Sequence, residues 1–261
     1  ISKVKFISAF TDKNNNSINN YFDKYKAFEF EHKINGNKVL INYSKFGIIE
    51  IKNSSIDLAL EIVRRRVDEV GTKEPNIQKR GNERILVELP GLDDPSRIKN
   101  LLGKTANLTF RFISDDDAGG FGSEKMFFED NIEEAIVSKR IILSGDNLID
   151  AQPRMDNQTN QTVVTFSMDR LGTKKFAKAT IGGVGKRLAI ILDNKIISAP
   201  VIREPITGGN GQISGDFNFQ SATDLALLLR SGALPAPLSI IEERTVGPDL
   251  GKDSIYAGTI A

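Results

Sequence analysis

Two glycine-rich breaks constrain this chain more than any other feature. SDDDAGGFGSE (114–124) and GGNGQISG (208–215) interrupt an otherwise regular succession of apolar-patterned segments. Before the first break the pattern reads strand, helix, strand, helix, strand over 47–113. GIIEIKN (47–53) is apolar enough for a strand. SSIDLALEIVRRRVDEVG (54–71) places Ile56, Leu60, Val63, Val67 and Val70 on one helical face, with capping-box spacing at Ser54 and Asp57 and Gly71 as terminator. RILVELPG (84–91) is a strand stopped by Pro90 and Gly91. DDPSRIKNLLG (93–103) is a short helix capped by Asp94, with Pro95 in its first turn and Gly103 at its end. ANLTFRFI (106–113) alternates as a strand.

After the second break, FNFQSATDLALLLRSG (217–232) is a helix with Ala222, Leu225, Leu228 and Leu229 on one face. An extended, proline-bounded strand follows in 233–247. Between the breaks lie strands at 135–143 and 162–168, a helix at 169–181 and a hairpin over 187–202 turning at Asp193, Asn194 and Lys195. The expected fold class is α+β. A first unit over 47–113 is interrupted by an insertion over 114–216 and completed by 217–248, and close entry and exit points make such an insertion tolerable. Further strands are expected at 26–34 and 38–43, after the asparagine-rich TDKNNNSINN (11–20).

Composition narrows the chemistry. There are 35 basic and 34 acidic residues among 261, which argues against a dominant nucleic-acid or polybasic membrane surface. With no cysteine, disulfides, thiol catalysis and thiolate metal sites are excluded. His32 is the single histidine and has no partner signature. GGVGKR (182–187) fails as a phosphate loop. Arg187 stands where a magnesium-binding hydroxyl is needed, Thr180 stands where the first glycine is needed, and the helix precedes the loop instead of following it. Asp115, Asp116 and Asp117 are contiguous, unlike the spaced ligands of a calcium loop. Arg64, Arg65 and Arg66 fan around a helix and read as a solvated face. No catalytic residue, metal site or cofactor is expected, and no RNA-binding aromatic signature is present. No stretch reaches 18 consecutive apolar residues, so none spans a bilayer.

The run EIVRRRVDEVGTKEPNIQKRGNERILVELPGLDDPSRIKNLLGKTANLTFRFI (61–113) strongly resembles SecD, the membrane subunit that assists the bacterial Sec protein-translocation channel. The resemblance resumes at LSGDNLIDA (143–151), GKRLAIILDNKIISAPVI (185–202) and ISGDFNFQSATDLALLLRSGALPAPLSIIEERTVGPDLG (213–251). It implies the first large periplasmic domain, with a ferredoxin-like base and a mobile α+β head inserted at 114–216. Residues 1–46 would be a divergent part of the base. GPDLGKDSIYAG would lead into a transmembrane helix, making 249–261 a lead-in and the chain an excised fragment at the periplasmic face of the inner membrane.

The partners implied are an unfolded secretory preprotein, SecF and the SecYEG channel, with no nucleic acid; the alternative is a scaffold without client contact. An unfolded client requires adaptable apolar surface or an open strand edge. The expected client-binding residues are Phe127, Phe128, Phe176, Ile191 and Ile197. The expected hinge residues are Ser114, Gly119, Gly120, Gly208, Gly209 and Gly215, where the chain crosses between head and base.

Overall fold

The computed structural model describes residues 4–7, 29–35, 38–92, 94–114, 122–130, 132–157 and 159–244. The fold is α+β. An N-terminal antiparallel sheet is made of β1 (Val4–Ile7), β3 (Lys38–Tyr43) and β2 (Phe30–Asn35), in that order. Helix α1 (Lys45–Val70) then leads to the hairpin β4 (Asn76–Arg80) and β5 (Arg84–Glu88), helix α2 (Pro95–Gly103) and strand β6 (Leu108–Phe112).

Next come hairpin β7 (Ser123–Phe127) and β8 (Glu134–Ser138), short β9 (Leu143–Ser144), β10 (Leu148–Met155), β11 (Thr162–Met168) and helix α3 (Arg170–Ile181). Strands β12 (Leu188–Leu192), β13 (Lys195–Ser198) and β14 (Asn210–Phe217) and helix α4 (Phe219–Ser231) complete the order. A four-stranded sheet runs β13–β12–β6–β9 and a three-stranded sheet β10–β11–β14, both antiparallel at every pairing.

Several elements depart from the sequence reading. GIIEIKN is the start of α1, not a strand. Ser44 caps the helix, its Oγ accepting from the Gly47 amide at 2.9 Å. Gly47 lies so close to Glu29 that a Cβ would sit 2.2 Å from its carbonyl oxygen. With the cap at Ser44, Ser54 lies mid-helix and Asp57 pairs instead with Lys79 at 2.6 Å. The 135–143 segment breaks into β8 and β9 because the chain turns at Lys139 and Arg140, where Ser138 Oγ accepts from the Arg140 amide at 3.2 Å. Strands β4 and β7 were not expected; both are short and mostly polar, so neither has a strong period.

GGNGQISG is largely β14, not an irregular break, because its amides and carbonyls pair with β11 from Asn210 onward. The expected strand after α4 forms no ladder over 232–244; Leu234 and Leu238 pack under α1 instead, and 245–247 lie outside the described residues. Residues 26–28 of the expected 26–34 strand lie outside them too.

The largest core draws on β6, on the 114–216 segment and on α4 together. Leu108 and Phe110 of β6 pack with Val164, Phe166, Phe176, Leu188, Ile190 and Ile213, and with Ala222, Leu225, Ala226 and Leu229 of α4. Phe110 sits 5.5 Å from Phe166 and 5.7 Å, edge-on, from Phe176 between ring centroids, geometries that add to simple area burial. The opposite side of α4 buries Leu227 and Leu228 against Ile98, Leu101 and Ala106. A helix covered on two sides explains why LALLL carries no polar residue.

Candidate functional site

Five strand segments close into a ring around a second, smaller core. Strand β12 pairs with β13 on one side and β6 on the other. Just past β6, Ile113 bridges to Val137 of β8, and the Ser114 amide donates to the Ile136 carbonyl at 2.8 Å. Strands β8 and β7 pair along their length. The circuit closes where Phe128 bridges in parallel to Ile196 of β13 and the Glu129 amide donates to the Ile196 carbonyl at 3.0 Å. Inside lie Met126, Val137, Ala189, Ile191 and Ile196, with Ile113, Phe128, Ala135 and Ala199 packed against them.

The expected client-binding residues divide accordingly. Phe127, at the end of β7, is 47% exposed, and Ile132 at the tip of the same hairpin is 83% exposed. Phe128 is partly buried in the ring. Phe176 and Ile191 are core side chains, 2% and 1% exposed, so a client cannot reach them in this conformation. Ile191 lies in the apolar run of β12, where burial accounts for the composition without a ligand, whereas Phe176 is a lone aromatic among lysines on the buried face of α3. Ile197 packs against the larger core.

Among the expected hinge residues, Gly119 and Gly120 lie outside the described residues. Ser114 is tied into the ring. Gly208 has open space around it, and Gly209 adopts φ +76°. Gly215 is not in a loop. It lies in β14 at an irregularity where Ser214 and Phe217 face the adjacent residues Val163 and Thr162.

Sequence reasoning missed the cluster that ties α1, α2 and α4 together. Arg64 and Arg65 are exposed as expected, but Arg66 is fully buried. Its guanidinium donates to the carbonyls of Leu101 (2.7 Å), Leu102 (3.1 Å) and Lys104 (2.5 Å), and to that of Gly232 (3.2 Å). One cation thus satisfies carbonyls at the C-terminal ends of both α2 and α4, where the helix dipole favours positive charge. Burial lowers its pKa to about 10, partly opposed by the charge of Asp193, so it stays protonated at neutral pH.

Asp193, in the β12–β13 turn, accepts from Thr105 Oγ1 (2.6 Å) and from the amides of Ala106 and Asn107 (3.1 and 2.8 Å). Two ion pairs flank the cluster. Arg230 of α4 grips both carboxylate oxygens of Glu69, and Arg97 of α2 grips Asp224. The sequence signal available was phase: Arg66 lies three residues after Val63 and one before Val67, on the buried face of α1.

No group of three or more histidine, aspartate or glutamate side chains able to hold a metal forms among the described residues; Asp115–Asp117 fall outside them. The GGVGKR loop joins α3 to β12. Its Gly183 abuts the Phe112 ring, where a Cβ would sit 2.6 Å from the nearest carbon. Lys186 Nζ stands 5.8 Å from the centroid of that ring. Close packing thus requires glycine at 183, while Gly185 takes a left-handed φ of +83° in open space. An open groove of about 720 Å³ runs beside the β10–β11–β14 sheet, lined by Gln152, Thr165, Gln212 and Thr207 among others. No helix among the described residues is long and apolar enough to cross a membrane.

Comparison with known proteins assigns both parts of the chain. Residues 56–115 match the family model for the N-terminal part of the P1 domain of protein translocase subunit SecDF, and residues 123–236 match the model for the SecDF P1 head subdomain. The chain is 48% identical over 238 residues to protein translocase subunit SecD of Rickettsia bellii, covering 88% of this chain and 46% of that protein. It is 48% identical over 213 residues to SecD of Acetobacter pasteurianus, covering 79% and 41%. The chain therefore spans just under half the length of these relatives.

Among solved structures, it superposes on a SecDF crystal structure in a super-membrane-facing form with a TM-score of 0.66 at 34% identity, covering 79% of this chain and 30% of that one. A second SecDF structure, of a membrane component that enhances protein export, gives 0.63 at 29% identity, covering 84% and 99%. With both P1 segments present in family order and an α+β fold matching the solved SecDF structures, the chain belongs to the SecD/SecDF family of protein translocase subunits and carries its P1 domain.

Proposed function

We propose that this chain acts in protein export as the periplasmic P1 portion of a Sec translocase subunit, and that it handles unfolded preprotein without performing chemistry. The observation that carries this reading is the paired match of both P1 segments to SecD relatives, which are named as translocase subunits. The exposed Phe127 and Ile132 at one hairpin tip add apolar surface of the kind an unfolded chain needs. In the full-length protein the partners would be the translocating preprotein, SecF and the SecYEG channel, with proton flow through the membrane part driving movement of head against base. Ser114, Gly208 and Gly209 are the proposed hinge positions that lie outside the named strands, Ser114 with its amide bonded to the Ile136 carbonyl. The ferredoxin-like base and the division at 114 and 216 belong to this proposal. The shared core and the Arg66 cluster mean that any such movement must leave α4 attached to α1 and α2.

The test is site-specific photocrosslinking in the full-length protein with a preprotein stalled in transit. Probes at Phe127 and Ile132 are expected to crosslink the stalled chain, and only when it is present. Clean failure at both, beside a working channel control, would overturn direct handling and favour a scaffold role.

A further inference from the structure

The ring has one side built differently from the rest. Strands β6 and β12 pair without a break from Leu108 to Phe112, and β12 pairs with β13 at three positions across a bulge at Ile190–Ile191. Among the described residues, the main chain of hairpin β7–β8 pairs with them at its two margins, through the isolated bridges Ile113 to Val137 and Phe128 to Ile196 and the Ser114 and Glu129 amides. The neck of the hairpin is pinched by the Lys139 amide donating to the Gly122 carbonyl at 2.8 Å, and Gly122 takes a left-handed φ of +111°. The hairpin contributes Met126, Ala135 and Val137 to the small core, whereas Ala189, Ile191 and Ile196 form its floor on β12 and β13. This small core is separate from the larger one that holds the fold together.

Swinging the hairpin away would therefore uncover an apolar floor and the outer edge of β13 around Ile196, while the main core stays closed. Apolar floor beside an unpaired strand edge is the combination that recognises an extended polypeptide whatever its sequence: the main chain supplies the hydrogen bonds, and alternate side chains fill the floor. The molecule already shows what such an occupant looks like. Its own Phe128–Glu129 segment lies parallel to β13, donates to the Ile196 carbonyl and packs its Phe128 ring against the floor. A second observation fits a hairpin that is not optimised for closure. Arg111 of β6 pairs through Nη1 with Glu124 of β7, yet its Nε is buried without an acceptor, a penalty that opening would relieve through water.

We propose that hairpin β7–β8 is a displaceable flap occupying a strand-addition site for an extended apolar polypeptide segment, formed by the outer edge of β13 and the floor of Ala189, Ile191 and Ile196. This rests on the client-handling reading above and supplies its mode: the flap is the internal competitor that the client replaces.

The chain contains no cysteine, so a lock can be installed cleanly. Ile113→Cys with Val137→Cys places thiols on directly opposed antiparallel residues, within reach of a disulfide. Binding of a fluorescently labelled, reduced and carboxymethylated polypeptide would be followed by anisotropy. The reduced double variant should bind like the parent, the oxidised form at least about tenfold more weakly, and Phe128→Ala, which loosens the seam at β13, several-fold more tightly. Equal affinity of the oxidised and reduced forms overturns the flap and leaves client handling standing. Absence of binding by the parent, the reduced variant and Phe128→Ala alike removes the client-handling reading on which the flap rests. Hydrogen exchange in the unmodified chain gives a readout that no variant can spoil. The Ser114 and Glu129 amides should exchange at least about tenfold faster than those of Leu188 and Ile190, and exchange of all four only through global unfolding would overturn the proposal.

Discussion

Replacing Arg66 with Met tests how the three helices are held together. The substitution keeps a long, flexible apolar stem and removes the guanidinium. Five carbonyls, of Leu101, Leu102, Lys104, Thr105 and Gly232, lose this donor together. Hydrogen bonds from a charged donor contribute about 1.5–3 kcal/mol each, and leaving a buried acceptor unmade costs about 1–3 kcal/mol. Against this, burying the cation is itself expensive, as its lowered pKa records, and that cost of several kcal/mol disappears with the charge. Some of the orphaned carbonyls lie at helix ends where water can reach them.

The net should resemble other broken buried charge networks, about 3–5 kcal/mol. At about 2–4 °C per kcal/mol for a unit of this size, the melting temperature should fall by roughly 6–20 °C. Thermal unfolding at pH 7, followed by circular dichroism, reads this directly. Arg65→Met, on the exposed side of the same turn, is the matched control and should shift by no more than about 0.5 kcal/mol. Arg66→Lys should fall between, because an ammonium retains the charge but cannot span carbonyls on two helix ends. Hydrogen exchange should localise the damage to the amides of Lys104, Gly232 and Leu234, which close the α2 and α4 termini. If Arg66→Met melts within a degree or two of Arg65→Met, the buried cation is not what joins these helices.

Other outcomes follow from the same contacts. Phe176→Ala should cost about 3–5 kcal/mol in urea unfolding, because its 2%-exposed ring fills the space beside Phe110 and the cavity cannot collapse. Gly211→Ala should cost about 1–3 kcal/mol, since the new Cβ would sit 2.5 Å from the Phe166 ring across the β11–β14 ladder. Asp169 caps α3, and bonds from the Gly172 amide and then Asn147 hold its carboxyl below the usual range. Its stabilisation is full above the unfolded value of about 3.9 and is lost as the pH falls through the lower folded value. The melting temperature of the parent should therefore drop more between pH 5 and pH 2, as approximate bounds, than that of Asp169→Asn.

Helices and their caps were the legible part of this fold. α2, α3 and α4 announce themselves through Asp94, Asp169 and Asn218, each accepting an amide three residues on, and through the apolar period that follows. The β12–β13 turn was readable for a similar reason: Asp193 and Asn194 both take positive φ, which Asx residues tolerate. The start of α1 was not readable. Phe46, Ile48, Ile49 and Ile51 have strand-forming side chains, and nothing local reveals that β3 stops at Tyr43 and that Ser44 caps a helix which projects past the core. Strands β7 and β14 failed differently. Their residues are mostly polar or glycine, and they are strands because partners supply hydrogen bonds, a fact no window of the sequence contains.

The same distinction applies to the expected client-binding residues. Apolar character nominated Phe176 and Ile191, but in a chain of this size the ordinary reason for an apolar residue is the core, and both are there. What singles out the β7–β8 hairpin is connectivity: strands joined to the rest by one bridge per side, over a core that is not the main one. Arg66 makes the complementary point. Its position beside Val67 on an apolar face was visible, yet a charge there is tolerable only if carbonyls from two other helices converge on it. Strong joints and weak seams are both set by long-range pairing. Among the described residues the chain is therefore firmly joined where α1, α2 and α4 meet and joined by single bridges where the hairpin closes the ring, which is where the proposed polypeptide client would enter.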